Sequence, residues 1–134
     1  MGRILGVDYG DSRIGLALSD PMKIIASPYK TIPTKGYLDE IRSIIKLKKV
    51  ERVIIGLPLG LKGQETIQTR KTRLFSESLN ELNCPINFED ERLSSISAEK
   101  SLIQQNIKTG HNKSLIDQRA AAIILQQFLD KQCH

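Results

Sequence analysis

Short apolar runs alternate along this chain with stretches of helically spaced apolar residues, and each change of period marks an element. Arg3 to Val7 is a compact apolar run ending on Asp8, and Tyr9-Gly10-Asp11-Ser12 supplies turn formers. Arg13 to Leu18 follows as a second strand, making a hairpin with the first. Asp20-Pro21-Met22-Lys23 turns again, and Ile24 to Thr31 returns as a third strand. Pro28 marks that strand as an edge or a break, because proline has no N–H for the ladder. From Tyr37 to Lys49 the spacing of Leu38, Ile41, Ile44, Ile45 and Leu47 predicts a helix. Arg52 to Leu57 is a β-branched fourth strand closed by Pro58. After a glycine-containing loop, Ile67, Leu74, Phe75, Ser78, Leu79 and Leu82 mark a second helix, which Pro85 ends. Ile86 to Glu89 predicts a fifth strand, and Ser95 to Gln105 a third helix with Ala98, Leu102 and Ile103 inward. Gly110 to Lys113 is a polar connection, after which Ile116, Ala120, Ile123, Ile124 and Phe128 line a last helix.

Strand directions follow from this order. Two hairpins leave the third strand parallel to the first, and right-handed helical crossovers leave the fourth and fifth parallel to the third. The first, fourth and fifth strands therefore end on one edge of an α/β sheet, where open sheets of this kind bind ligands. Asp8, Gly56-Leu57-Pro58 and Glu91 converge on that edge.

Composition narrows the function classes. The 134 residues suit a single domain, 1–134, and 40% hydrophobic with 26% charged residues is ordinary for a soluble fold. No apolar run approaches the roughly 20 residues of a bilayer span, and the N-terminus reaches Asp8 too soon for a secretory signal. A cytoplasmic protein beginning near Met1, with no membrane partner, is expected. Cys84 and Cys133 are far apart and predict two free thiols rather than a zinc site. The net charge of +5, with basic clusters at Lys46, Lys48, Lys49 and Arg52 and at Arg70, Lys71 and Arg73, favours a polyanion, foremost nucleic acid. Each cluster alone also reads as a solvated helix face. Only 4% of residues are aromatic, so phosphate contact is favoured over base stacking.

Three acids could carry chemistry. Asp8 is either a turn former or a carboxylate whose position at the end of an apolar strand calls for a bound cation. Glu91 is either part of a surface ion pair with Arg92 or a ligand at a strand end, and register alone decides whether it or Asp90 faces the crevice. Asp117 either completes a variant capping box with Ser114 or reaches a metal. Together they offer hard oxygen donors suited to Mg²⁺ or Mn²⁺, and two such ions can activate a water and stabilise the leaving oxygen of a phosphodiester. The loop Gly56-Leu57-Pro58-Leu59-Gly60-Leu61-Lys62-Gly63 lacks the Gly-Lys-Ser/Thr ending of a Walker A loop. It either connects strand to helix or presents Gly60, Lys62 and Gly63 to phosphate.

Read together, Ile4-Leu-Gly-Val-Asp8-Tyr-Gly10 with Gly15-Leu-Ala17, Ile55-Gly-Leu-Pro58 with Gly63, Asp90-Glu-Arg-Leu93, and Asp117-x-x-Ala120-Ala121 with Ile124-Leu125 resemble the YqgF family. Its members are also called RuvX-type Holliday junction resolvases or pre-16S rRNA nucleases. The resemblance implies a ribonuclease H-like fold with a five-stranded mixed sheet of order 3-2-1-4-5 flanked by helices. It also implies an acidic metal and catalytic set, mapping onto Asp8, Glu91 and Asp117. Beside that set, the basic residues Lys62, Arg70, Lys71 and Arg92 are expected, from charge and position in the sequence, to hold phosphates. The implied activity is metal-dependent maturation of the 5′ end of 16S rRNA, with precursor rRNA and the ribosome as candidate partners. Resolution of branched DNA junctions is the alternative. The chain departs from the family at Leu61-Lys62, where an Asn or Asp usually precedes the last glycine, and at Ser94 and Ser95, where a Thr is common. Both departures concern substrate contacts rather than the acids.

Two rivals remain from other classes. Asp8-x-Gly10 also resembles the first phosphate loop of actin-like ATPases, but those need two related domains, which 134 residues do not supply. A non-catalytic RNA- or ribosome-binding module fits the charge equally well, since fold does not fix function. The helical periodicities define no dimer seam.

Overall fold

The computed structural model describes residues 2–93 and 113–132. Its elements are β1 (Arg3–Tyr9), β2 (Arg13–Ser19), β3 (Ala26–Pro33), α1 (Tyr37–Leu47), β4 (Val50–Leu57), α2 (Ile67–Ser78), β5 (Ile86–Asp90) and α3 (Lys113–Gln132). A 3-10 turn at Leu79–Leu82 extends α2, and a second at Glu91–Leu93 follows β5. The helix expected over Ser95–Gln105 lies outside the described residues, as does most of the expected Gly110–Lys113 connection. Lys113 itself already belongs to α3.

The strands form one sheet of order β3-β2-β1-β4-β5. The hairpin neighbours pair antiparallel, and β1 with β4 and β4 with β5 pair parallel. This is the order the family resemblance implies, with the directions the crossover argument requires.

Alternation along the strands divides the core. Leu5, Val7, Ile14, Leu16, Val53 and Ile55 face one side, buried with Ile41 and Ile44 of α1, Phe75 of α2 and Leu79. Ile4, Ala17 and Ile54 face the other, buried with Ala120, Ala121, Ile124, Leu125 and Leu129 of α3. Small strand residues let α3 lie close on this second face. A methyl group at Gly6 would stand 2.8 Å from Leu125 Cβ and 2.9 Å from the Ala121 carbonyl oxygen.

The structure refines the sequence expectations in several places. The third strand starts at Ala26 rather than Ile24. The Asp20 carboxylate captures the N–H groups of Ile24 at 2.7 Å and Ile25 at 2.9 Å, which holds both residues in the turn. Pro28 does lie on an edge strand, and a register shift there sets Leu16 opposite Lys30 but Ala17 opposite Pro28, leaving Tyr29 as the bulged residue. On α2, Ile67 and Leu74 are exposed while Thr69, Thr72, Phe75 and Ser76 are buried. The buried hydroxyls are satisfied locally: Thr69 donates to the Pro58 carbonyl and joins Thr66 in a reciprocal capping box, Thr72 donates to Gln68, and Ser76 donates to Arg73.

The backbone bonds to Asp20 hold its carboxyl below the usual carboxylate range. A folded value below the unfolded one contributes stability that is complete above the unfolded value and is lost as pH falls through the folded one. Asp20→Asn keeps an acceptor oxygen and removes the charge. It is expected to lower the melting temperature slightly at neutral pH, with the difference from wild type closing as pH falls from about 7 to about 2 in a series of thermal melts.

Candidate functional site

Asp8 shares the face of Ile4 and Gly6, the face that α3 covers, and only 7% of it is exposed. Its cross-strand partner in β2 is Gly15. On the other side the β1–β4 register sets Val7 opposite Ile55, which brings Gly56 beside Asp8. Each of these glycines lies under another acid. A methyl at Gly15 would overlap the carbonyl group of Asp117 and stand 2.8 Å from its Cβ. A methyl at Gly56 would overlap the end of the Ile124 side chain and stand 3.0 Å from Glu91 Oε1. Asp8 is thus flanked by two positions without side chains, and the space they leave admits Asp117 from α3 and Glu91 from beyond β5.

The structure separates the acids at the end of β5. Glu89 points to the α3 face, where it is buried, accepts from Gln127 and pairs with Lys131 at 2.7 Å. Asp90 turns to the opposite side and accepts from the Arg92 backbone N–H at 2.9 Å and from its Nε at 3.0 Å. Glu91 returns to the α3 face, with Oε1 shielded from solvent. The local partner of Arg92 is therefore Asp90. The capping-box reading of Ser114 and Asp117 is corrected as well. Because α3 already includes Lys113, Ser114 lies within the helix, and the Asp117 carboxylate accepts from Arg13 Nε at 2.7 Å.

Asp8, Glu91 and Asp117 supply oxygen donors of the kind Mg²⁺ and Mn²⁺ prefer, with Asp117 packed over Gly15 and the Glu91 carboxylate near Gly56. In donor type they fit such an ion. Among the described residues, no three Asp, Glu, His or Cys side chains are gathered closely enough to form a finished ligand set. Completing one would need side-chain rotation, and the ion pair with Arg13 engages one oxygen of Asp117.

The basic residues divide into two groups. Lys71 reaches from α2 to the β1–β2 turn, 3.4 Å from both oxygens of Asp11, and Arg70 is exposed beside it. Arg92 lies against the β4–α2 loop, its Nη1 3.0 Å from where a methyl on Gly63 would be. Gly63 has φ +83°, a left-handed conformation that glycine tolerates best. In that loop the N–H of Gly60 donates to the Gln64 carbonyl, that of Lys62 to the Gln64 side chain, and that of Gly63 to Gly60. These donors are engaged internally, which counts against the loop backbone as a phosphate cradle. Tyr9 faces the other side of the sheet, stacked on Phe75 with ring centroids 4.6 Å apart. Burial, then the Asp11 charge, raises its phenol pKa, which keeps it protonated. Burial likewise pushes the Cys84 thiol up and makes it a poor nucleophile.

Two charged residues of this neighbourhood, Arg13 and Glu89, were not singled out by sequence reasoning. The signal for Arg13 was its two-residue spacing from Gly15, which puts both on one face. Glu89 could have been noticed as an acid within a short strand.

The same motifs and fold recur among known proteins. A family model described as RuvX, Holliday junction resolvase, matches residues 2–131. The chain belongs to the RuvX family. RuvX-like relatives from Maridesulfovibrio salexigens and Roseiflexus sp., each named "Putative pre-16S rRNA nuclease", are both 41% identical to it. The matches cover 95% and 98% of this chain and 97% and 96% of those proteins. Among solved structures, Thermus thermophilus RuvC in complex with a Holliday junction substrate superposes with a TM-score of 0.61 at 13% identity, covering 98% of this chain and 96% of that one. At that identity the likeness establishes the fold, which is ribonuclease H-like.

Proposed function

We propose that residues 1–134 act as a single cytoplasmic nuclease domain that hydrolyses phosphodiester bonds, with the 5′ region of precursor 16S rRNA as substrate and ribosomal precursors as partners. The observation that carries this reading is Asp8 lying between two glycines, one beneath Asp117 and the other beneath Glu91. The relatives' names supply the substrate class. Among the described residues no helix is long and apolar enough to cross a membrane.

A divalent ion bound by Asp8, Glu91 and Asp117 would supply the Lewis acidity that activates water and stabilises the leaving oxygen. The chain supplies the three carboxylates from β1, from the turn after β5 and from α3, and rotation of their side chains would bring them onto one ion. Arg92, fixed by Asp90, and Lys62 on the adjacent loop hold the phosphate backbone, and Arg70 and Lys71 extend the cationic path along α2. Phosphate contacts of this type give affinity without reading bases.

Binding should therefore weaken steadily with salt. If Lys62, Arg70, Lys71 and Arg92 each engage one phosphate of a single strand, log K against log salt has a slope of roughly −3. A fluorescence titration of labelled leader RNA between about 50 and about 200 mM salt measures it, and flat affinity would contradict the phosphate path.

The family description and the RuvC-like fold favour a second substrate, a four-way DNA junction. The test is cleavage of labelled 16S leader RNA and of a four-way junction by the same preparation with Mg²⁺ or Mn²⁺. Preferential metal-dependent cutting of the RNA supports the proposal. Preferential cutting of the junction replaces the substrate, and tight binding with no cutting of either replaces the nuclease with a binding module.

A further inference from the structure

The Arg13 guanidinium stands at the same sheet edge as the three acids, and the proposed phosphate path does not use it. Arg13 begins β2 and is two residues before Gly15, so it shares the face on which Asp8 and Asp117 lie. Its Nε donates to Asp117 Oδ2 at 2.7 Å. The side chain remains 42% exposed, whereas that of Asp117 is 18% exposed. Arginine carries five N–H donors in a rigid plane, and the bond to Asp117 uses the one on Nε. Asp117 therefore fixes the plane of the guanidinium through Nε, and that bond leaves the Nη donors unused on a side chain that is partly exposed.

We propose that Arg13 contacts the substrate phosphate nearest the acids, with Asp117 as the anchor that holds its guanidinium in place. This rests on the nuclease reading of the same crevice. A planar cation held at one edge loses little entropy when its remaining donors meet a phosphate, and arginine matches phosphate geometry through two donors at once. Arg13 thereby couples the acidic centre to the strand being cut. It lies across the crevice from Arg92, so the phosphate path runs on both sides of Asp8.

The test uses the full chain carrying Asp8→Asn, which prevents cutting, and fluorescein-labelled 16S leader RNA titrated over a range of salt. Adding Arg13→Gln removes one cation, and the slope of log K against log salt should fall in magnitude by about 0.7. Mn²⁺ affinity, measured calorimetrically on the chain with Asp8 intact, should change less than about threefold between wild type and Arg13→Gln, because a residue that only orients a ligand costs 10- to 100-fold. Arg13→Met, which keeps the aliphatic stem, replaces the glutamine variant if that does not fold. An unchanged salt slope, or a loss of Mn²⁺ affinity of tenfold or more, overturns the phosphate contact. If wild type itself neither cuts nor binds the RNA, the nuclease reading has failed instead.

Discussion

Asp8→Asn is expected to lower RNA cleavage by about 10³-fold or more while leaving the fold intact. Removing one preorganised group that stabilises developing charge costs on the order of 10²–10³ in rate, and Asp8 is placed to bind metal as well. Asparagine is nearly isosteric, so the packing between Gly15 and Gly56 is undisturbed. It also removes a charge from a residue that is 7% exposed, so no large loss of stability is expected. Single-turnover cleavage measured beside a thermal melt separates the two effects. A variant that melts like wild type and cuts like wild type would remove Asp8 from the chemistry.

Gly15→Ala should give the largest loss of stability. The added methyl would overlap main-chain atoms of Asp117, and main chain cannot rotate aside as a flexible side-chain tip can. The helix cannot simply shift either, because α3 is also seated closely on Gly6 through Ala121 and Leu125. Overpacking of this kind costs about 1–3 kcal/mol, occasionally more, which for a chain of this size lowers the melting temperature by roughly 4–12 °C. Cleavage should fall as well, since any movement of α3 carries Asp117 away from Asp8. Gly56→Ala provides the contrast: its methyl meets the Ile124 Cδ1 tip and the Glu91 carboxylate, both ends of flexible side chains. It should cost less stability than Gly15→Ala in the same melts while still impairing cleavage through Glu91.

The contrast between these glycines also shows what the sequence could and could not reveal. Strand direction was legible because apolar runs, turn residues and helical spacing each have a distinct period, and chirality restricts how they connect; the lateral order of the strands came from the family resemblance. The faces of β1 were not legible, because Ile4, Leu5 and Val7 are all apolar and buried and no alternation marks a face. Beyond the last core residue of β5 the phase was lost. Asp90 and Glu91 are both acids at a strand end, and because Glu91 opens a 3-10 turn, strand alternation does not assign it; its carboxylate lying against the Gly56 position does. The start of β3 was misplaced because a side chain, Asp20, competes with the ladder for the backbone N–H groups of Ile24 and Ile25. The buried face of α2 was obscured because hydropathy scores threonine as polar, while Thr69 donates its hydroxyl to the Pro58 carbonyl and Thr72 to that of Gln68 one turn back, so both bury the rest of the side chain. Arg13 was passed over because its partner lies 104 residues away in the chain. Of the acidic set, Asp8 was legible as a carboxylate closing an apolar strand. Asp117 was masked by the capping motif it imitates.

The acids around Asp8 are proposed to form a metal-dependent nuclease centre. The most direct test is single-turnover cleavage of end-labelled 16S leader RNA by the wild-type chain, with Mn²⁺ and then with excess chelator, beside Asp8→Asn with Mn²⁺. Cutting is expected in the first reaction only. Equal cutting in chelator, or by the Asp8→Asn chain, would contradict it.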